Sequence, residues 1–266
     1  MRRTIKPRGV VAACLLAMPA FIAGGKGAAA GALHDAVAAG DAAALAALID
    51  DGAPIDESDG VSGSALIVAV TRGSTELAAV LIDRGADVEA QSVQRDYRPL
   101  HLAADRDDVA MLQLLLDSGA DIEARSARGE TPLFMAAGGA RLEALRLLIA
   151  SGAEIDGRVP GPEWTPLMMA AMITSPETVR MLVEAGADVD ARDQTGDTVL
   201  MLATAPLTWH SAGSDAIVAI LAEAGADLDA ADRNGMTVLD RAMARAAEDD
   251  AYVPLVAQLQ DLGATQ

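Results

Sequence analysis

At 266 residues the chain is long enough for one or two ordinary domains, but aromatic side chains make up only 2% of it, which argues against a single large globular core. Alanine, leucine, valine and isoleucine carry the apolar content and suit thin layers of closely packed helices. A formal charge of −19 excludes nucleic acid and anionic lipid as natural partners, because both repel an acidic body.

Arg2, Arg3, Lys6 and Arg8 open the chain, an apolar run follows over 10–23, and small residues lead to Ala28, Ala29 and Ala30. That order predicts a secretory signal peptide over 1–30, cleaved near 28–30. The run is short for a membrane span, so the mature form is expected to be free of the membrane; an uncleaved anchor or a mispredicted start is the alternative. Val11-Ala12-Ala13-Cys14 resembles a lipoprotein cleavage box, and Arg2-Arg3 hints at twin-arginine export. The apolar run continues beyond Cys14, however, and arginine pairs are common in basic leaders, so ordinary secretion fits best. Cys14 is the only cysteine, which leaves the mature chain without thiol chemistry and at ease in an oxidising compartment. Without residues 1–30 there remain 15 basic side chains, all arginine, against 39 acids, a net charge of −24. Such a field steers the chain towards basic partners, although solubility alone also accounts for it. The leader and the alanine-rich, lysine-free remainder together suggest a bacterial protein of the periplasm or the exterior.

From residue 31 to 266 one phrase sets the spacing. Gly-Ala recurs at Gly52, Gly85, Gly119, Gly152, Gly186, Gly225 and Gly263, with gaps of 33, 34, 33, 34, 39 and 38 residues. A period of that size marks stacked supersecondary units, here ending near 53, 86, 120, 153, 187, 226 and 264. Each Gly-Ala follows an apolar helical stretch, where a left-handed residue ends a helix at little steric cost. A helix-start signal lies 21 residues earlier in the first five units: Gly31, Ser64, Arg98, Thr131 and Thr165, the last three followed by Pro-Leu. Hydroxyls there cap free N–H groups and proline suits the first turn. Alanine pairs follow, such as Ala103-Ala104, Ala136-Ala137 and Ala170-Ala171, and let neighbouring helices approach closely. A second helix carries Val109, Leu112, Leu114 and Leu115 at helical spacing. About ten residues rich in turn formers and acids then predict a projecting, hairpin-like loop.

These residues resemble the ankyrin repeat family, through its Thr-Pro-Leu-His-x-Ala start and Gly-Ala-Asp-Val-Asn ending. Thr131-Pro132-Leu133 with Gly152-Ala153 is the closest full copy. The resemblance implies an all-α solenoid of about seven helix-turn-helix units, with hairpin-like loops projecting from one edge. It also implies a non-enzymatic module for protein–protein interaction, working through its loop tips and inner-helix groove. Within that family His34 and His101 would hydrogen-bond neighbouring loops.

Departures from the pattern are where individuality is sought. An acid stands where the family has asparagine: Asp56, Glu89, Glu123, Asp156, Asp190 and Asp229. Stacking would align these carboxylates in a row, either a solvated edge or a docking strip for a basic partner. The helix start to Gly-Ala distance grows to 27 residues after Thr198 and 26 after Thr237. The extra residues fall near 205–214, with Leu207, Trp209 and His210, and near 247–254; insertions of this kind emerge as loops on one face. Tyr97 and Trp164 share one slot, directly before the helix start, in units two apart. In a chain so poor in aromatics they are the leading interface anchors, with Trp209 and His210 beside them, although local packing under the loop over 157–163 would account equally well for Trp164.

No catalytic constellation is expected, and no cofactor or metal site. The three histidines do not cluster, and pairs such as Asp188-x-Asp190 fall short of the six or more oxygens a calcium site gathers. The chain is therefore expected to be a monomer that binds another protein. Its place could be an immunity-type inhibitor, an accessory stabiliser of a periplasmic enzyme, or an exported effector acting on a host protein.

Overall fold

The computed structural model describes residues 26–93, 95–205 and 213–265; the side chains of 26–30 are left aside. Most of the predicted leader, and Leu207, Trp209 and His210, fall outside those residues. The described chain is a succession of helix pairs. These are α1 (Lys26–Ala39) with α2 (Ala42–Asp50), α3 (Ala65–Arg72) with α4 (Thr75–Asp83), and α5 (Pro99–Asp105) with α6 (Val109–Asp117). There follow α7 (Pro132–Gly138) with α8 (Leu142–Ala150), α9 (Pro166–Met172) with α10 (Pro176–Glu184), and α11 (Val199–Ala203) with α12 (Ser214–Glu223). The last pair is α13 (Val238–Ala246) with α14 (Val253–Asp261), separated by a 3₁₀ turn over Asp250–Tyr252. Among the described residues there is no strand, only two isolated antiparallel bridges, Val159 with Trp164 and Arg192 with Thr198, each pinching a loop.

Helix α1 runs from Lys26, five residues before the expected start at Gly31 and across the expected cleavage site, but the later first helices begin as their sequence dictates. The hydroxyls of Ser64, Thr131, Thr165, Thr198 and Thr237 accept the backbone N–H three residues on, at 3.5, 3.2, 3.3, 3.3 and 3.1 Å. Arg98 has no acceptor for that task. There the ring of His101 turns back instead, and its Nδ1 accepts the Arg98 N–H at 3.3 Å. Pro99, Pro132 and Pro166 open their helices, where no N–H is needed.

Each second helix ends in the same pair of hydrogen bonds, the first from the N–H of the glycine to the carbonyl three residues back. The N–H of the alanine in Gly-Ala returns 3.0 Å to the carbonyl five residues back in all seven copies, from Ala53 to Ala264. The glycine before it has φ between 88 and 100°. A methyl group on any of these glycines would meet nothing within 4 Å, so the left-handed backbone alone demands glycine. A second left-handed position, 12 residues before each of the first six stops, makes the turn inside the pair: Gly40, Gly73, Asp107, Ala140, Thr174 and Gly213. Three of those six are not glycine, and Thr174 adds a β-branch at φ 56°.

The core runs as two layers, first helices stacked on first helices and second on second. Small residues make the first layer thin: Ala69, Ala103, Ala104, Ala136, Ala137, Ala170 and Ala171 are all fully buried. Leu45, Leu81, Leu112, Leu115, Leu145, Leu148 and Leu182 fill the second layer. Val109, expected on its apolar face, is instead exposed at the helix start. The insertion near 247–254 also departs from a plain surface loop, because it supplies Tyr252 to the core, with the Arg245 guanidinium 5.7 Å from its ring. The last unit is tied back further. Arg241 grips Asp197 in two hydrogen bonds of 2.9 and 2.5 Å and also bonds the buried carboxylate of Asp232.

Candidate protein-binding groove

The fourth residue of four successive first helices is apolar and half-buried: Val68, Leu102, Met135 and Met169. Their equal register lays them in one row beneath the loops. Two grooves open along this row. The first, of about 660 Å³, lies between the loops and first helices of the second and third units and includes Val68, Leu102 and Tyr97. The second, of about 550 Å³, lies two units on and includes Phe134, Met169 and Trp164. The shared slot before the helix start therefore brings each aromatic to a groove wall.

Both rings have their polar atoms satisfied inside the protein. Tyr97 donates its hydroxyl to Glu130 at 3.2 Å, accepts from Arg95 at 3.2 Å, and stacks on His101 with ring centres 5.8 Å apart. Trp164 donates its indole N–H to Asp193 at 3.4 Å, and its carbonyl accepts the Val159 N–H at 3.0 Å. Burial pushes the Asp193 carboxyl up, but bonds from Thr195, the Asp197 backbone and Trp164 more than offset this and hold it below the ordinary range. What each ring leaves to the groove is apolar area on a side chain with little rotamer freedom.

The acids expected to form a row do line up, and each has a partner. Asp56 accepts the Asp87 N–H at 2.8 Å, Glu89 the Asp121 N–H at 2.9 Å, and Glu123 the Glu154 N–H at 2.7 Å. Asp156 accepts the Asp188 N–H at 3.1 Å, Asp190 the Asp227 N–H at 2.8 Å, and Asp229 the Thr265 N–H at 2.6 Å. In every case a carboxylate of one unit caps the backbone just after the next unit's Gly-Ala. Asp87, Asp121, Asp188 and Asp227 then accept the N–H two residues on, joining the rungs into a ladder. The residues between the acids, Ile122, Val189 and Leu228 among them, pack against the core.

His34 and His101 repeat one contact. Each Nε2 lies 2.9 Å from the carbonyl 29 residues on, of Gly63 and Glu130 respectively. For His101 both ring nitrogens are assigned by their partners: Nδ1 accepts and Nε2–H donates, so the ring is neutral. Burial drives its pKa below the ordinary histidine value. Among the described residues no three His, Cys, Asp or Glu side chains converge on a point that a metal ion could occupy.

A scan of family models matches ankyrin repeats (three copies) over residues 33–126, 90–159, 133–206 and 167–259. The chain belongs to the ankyrin repeat family. Among solved structures it is similar to the ankyrin repeat domain of Bcl-3, described as a unique member of the IkappaB protein family. The identity is 28% and the TM-score 0.71, over 78% of this chain and 92% of that one. It is also similar to the human ASB11 ankyrin repeat domain, at 28% identity and a TM-score of 0.67, over 83% of this chain and 96% of that one. Among curated protein sequences nothing matches. Ankyrin repeats are generally protein–protein interaction modules, and their fold is typically a non-enzymatic binding scaffold.

Within this ankyrin array a second ladder escaped the sequence reading. Arg125, Arg158 and Arg192 occupy one position, six residues after Gly-Ala's glycine. Each guanidinium donates to its own loop, at Gly129, Glu163 and Gly196, and to the next one, at Arg158, Arg192 and Ala231. The inter-loop bonds are 2.9, 2.7 and 2.6 Å long. Its signal was present as arginines at gaps of 33 and 34 residues. Among the described residues no helix is long and apolar enough to cross a membrane.

Proposed function

We propose that this ankyrin repeat chain is an exported binding protein that seats a protein partner along its loop-and-first-helix face, with Tyr97 and Trp164 as anchors. The observation that carries the reading is their equivalence. Two aromatics in the same slot each wall a groove that contains members of one apolar row, and each already has its polar atom satisfied. Large, stiff rings of this kind dominate binding energies at interfaces. The leader over 1–30 supports export, and the net charge of −24 without it supports fast encounter with a partner of opposite net charge.

Affinity capture with the leaderless chain and with a Tyr97→Ala/Trp164→Ala variant tests the groove. Partners held by the former should be lost or weakened about 30-fold by the latter, the effect of truncating an interface anchor. Equal retention by both chains would remove the groove reading. Mass spectrometry of the protein's amino terminus tests export: a start near residue 31 is expected, and an intact Met1 in the cytosolic fraction would overturn it.

A further inference from the structure

The two grooves differ in sign. Acids outnumber basic side chains 39 to 20 in the chain, yet the first groove is lined by two arginines, Arg72 and Arg95, and by no aspartate or glutamate. Five other arginines, Arg84, Arg98, Arg141, Arg146 and Arg241, lie within 4.0 Å of carboxylates. Among the described residues Arg72 and Arg95, like Arg125, Arg158 and Arg192, have no carboxylate within that distance, although the Glu130 carboxylate that accepts the Tyr97 hydroxyl attracts Arg95 from farther off. Their hydrogen bonds go to neutral oxygens: Arg72 donates to the Ala38 carbonyl at 3.0 Å and Arg95 to the Tyr97 hydroxyl at 3.2 Å. Both side chains are exposed. The second groove has Arg128 together with Glu130, whose carboxylate already accepts from Tyr97 and Ser126.

Arg95 is also held at a backbone cost. Arg95 and Asp96 are consecutive non-glycine residues in the left-handed region, at φ 64 and 51°. The next loop fixes them there, since Ala127 donates its N–H to the Arg95 carbonyl at 2.9 Å. Strain of this kind persists only where the surroundings impose it, and it gathers at ligand clamps. Apolar surface lies close by: Val61, which lines the groove, is 73% exposed, and Val93, next in sequence to the lining residue Ser92, is 51% exposed.

We infer that the first groove takes a segment of a partner protein in which an apolar side chain sits beside an aspartate or glutamate. The apolar side chain lies against Tyr97, Val68 and Leu102. The carboxylate replaces water at Arg72 or Arg95, where a charge-assisted bond is about twice as strong as a neutral one. Net charge acts on the whole partner from a distance, whereas this lining acts on the few residues that seat. The inference rests on the groove reading above and refines its partner.

Selection from a library of random peptides, each displayed internally in a carrier protein, tests it with the leaderless chain as bait. The expected pool is enriched in an apolar residue with Asp or Glu within two positions. An Arg72→Glu/Arg95→Glu bait should lose that preference, and peptides from the first pool should bind it about ten-fold more weakly or worse. Circular dichroism checks that the variants fold, and the exposure of both arginines makes misfolding unexpected. A first pool without acidic enrichment, or the same pool on the charge-reversed bait, overturns the inference while leaving the groove reading intact if a Tyr97→Ala bait selects differently. If the Tyr97→Ala bait selects the same pool, or no bait enriches any peptide, the groove reading fails and this inference with it.

Discussion

Gly152 and Thr174 show the same backbone demand met well and met badly. Gly152 has φ 90° with open space where a side chain would go, so Gly152→Ala is expected to cost about 1–2 kcal/mol from the dihedral alone. Thr174 sits at φ 56°, and Thr174→Gly is expected to gain about 0.5 kcal/mol, the relief of strain less the added freedom of the unfolded chain. Urea unfolding midpoints of the two variants give the answer, and opposite signs are required. His101 offers a pH signature. Its ring is fully buried and neutral, and its pKa is depressed by burial. The unfolded chain binds that proton more readily, so the stability it contributes is complete above the unfolded value of about 6.5 and is lost as pH falls below it. The decline in stability between about pH 7 and pH 5 should be smaller in a His101→Gln variant than in the parent. At this scale the sequence was legible wherever a residue acts through its own backbone, as the seven glycines do. It was opaque where another unit decides. Nothing local to Asp107, Ala140 or Thr174 announces a left-handed turn, and Tyr252 reads as part of a loop until a core is there to receive it.

The loop, not the helix, is the element that sets this chain apart. Its acids were readable as a row because their spacing follows the period, but their use as acceptors depends on the neighbouring unit's backbone being within reach. Asp156 makes the test clean, with both oxygens within 3.3 Å of the Asp188 N–H. Asp156→Ala is expected to lose about 1 kcal/mol, the net value of one such bond, while Asp156→Asn keeps an acceptor and most of the stability. Equal losses in the two variants, measured by urea unfolding, would mean that charge rather than the hydrogen bond matters there. The same element carries the binding hypothesis. Tyr97 and Trp164 were found from their shared slot, and the structure places both at groove walls, whereas Trp209 and His210 stand in an insertion outside the described residues.

An array of this kind loses its ends before its middle, because terminal units have one neighbour where inner ones have two. The carboxyl end is reinforced by Asp232, which the Arg241 bond, aided by backbone N–H groups, holds down to about 2. Near the other end Asp59 is also held at about 2, burial working against it and the N–H groups of Ser62, Val61 and Gly63 prevailing. A carboxyl depressed by folding stabilises fully above its unfolded value of about 4, and that contribution disappears as pH falls towards 2. Asp232→Asn should therefore weaken α13 and α14 at neutral pH and reduce the acid sensitivity of that end between about pH 4 and pH 2. Hydrogen exchange resolves it by segment: amides of α13 and α14 should lose protection while those of α5 to α10 keep theirs, and uniform loss would show that the array melts as one body. The paired ladders have a mechanical side. Along the loop edge nearly every pair of units is joined by directional bonds as short as 2.6 Å, whereas the second helices meet mainly through apolar contacts with shallow, forgiving wells, with scattered ties such as Arg84 to Asp50 and Gln258 to Asp215. A stack built this way flexes like a strip with one inextensible border. Its curvature changes by the outer helices fanning apart or closing up, and the groove mouths, set beside the stiff border, keep their width while it does.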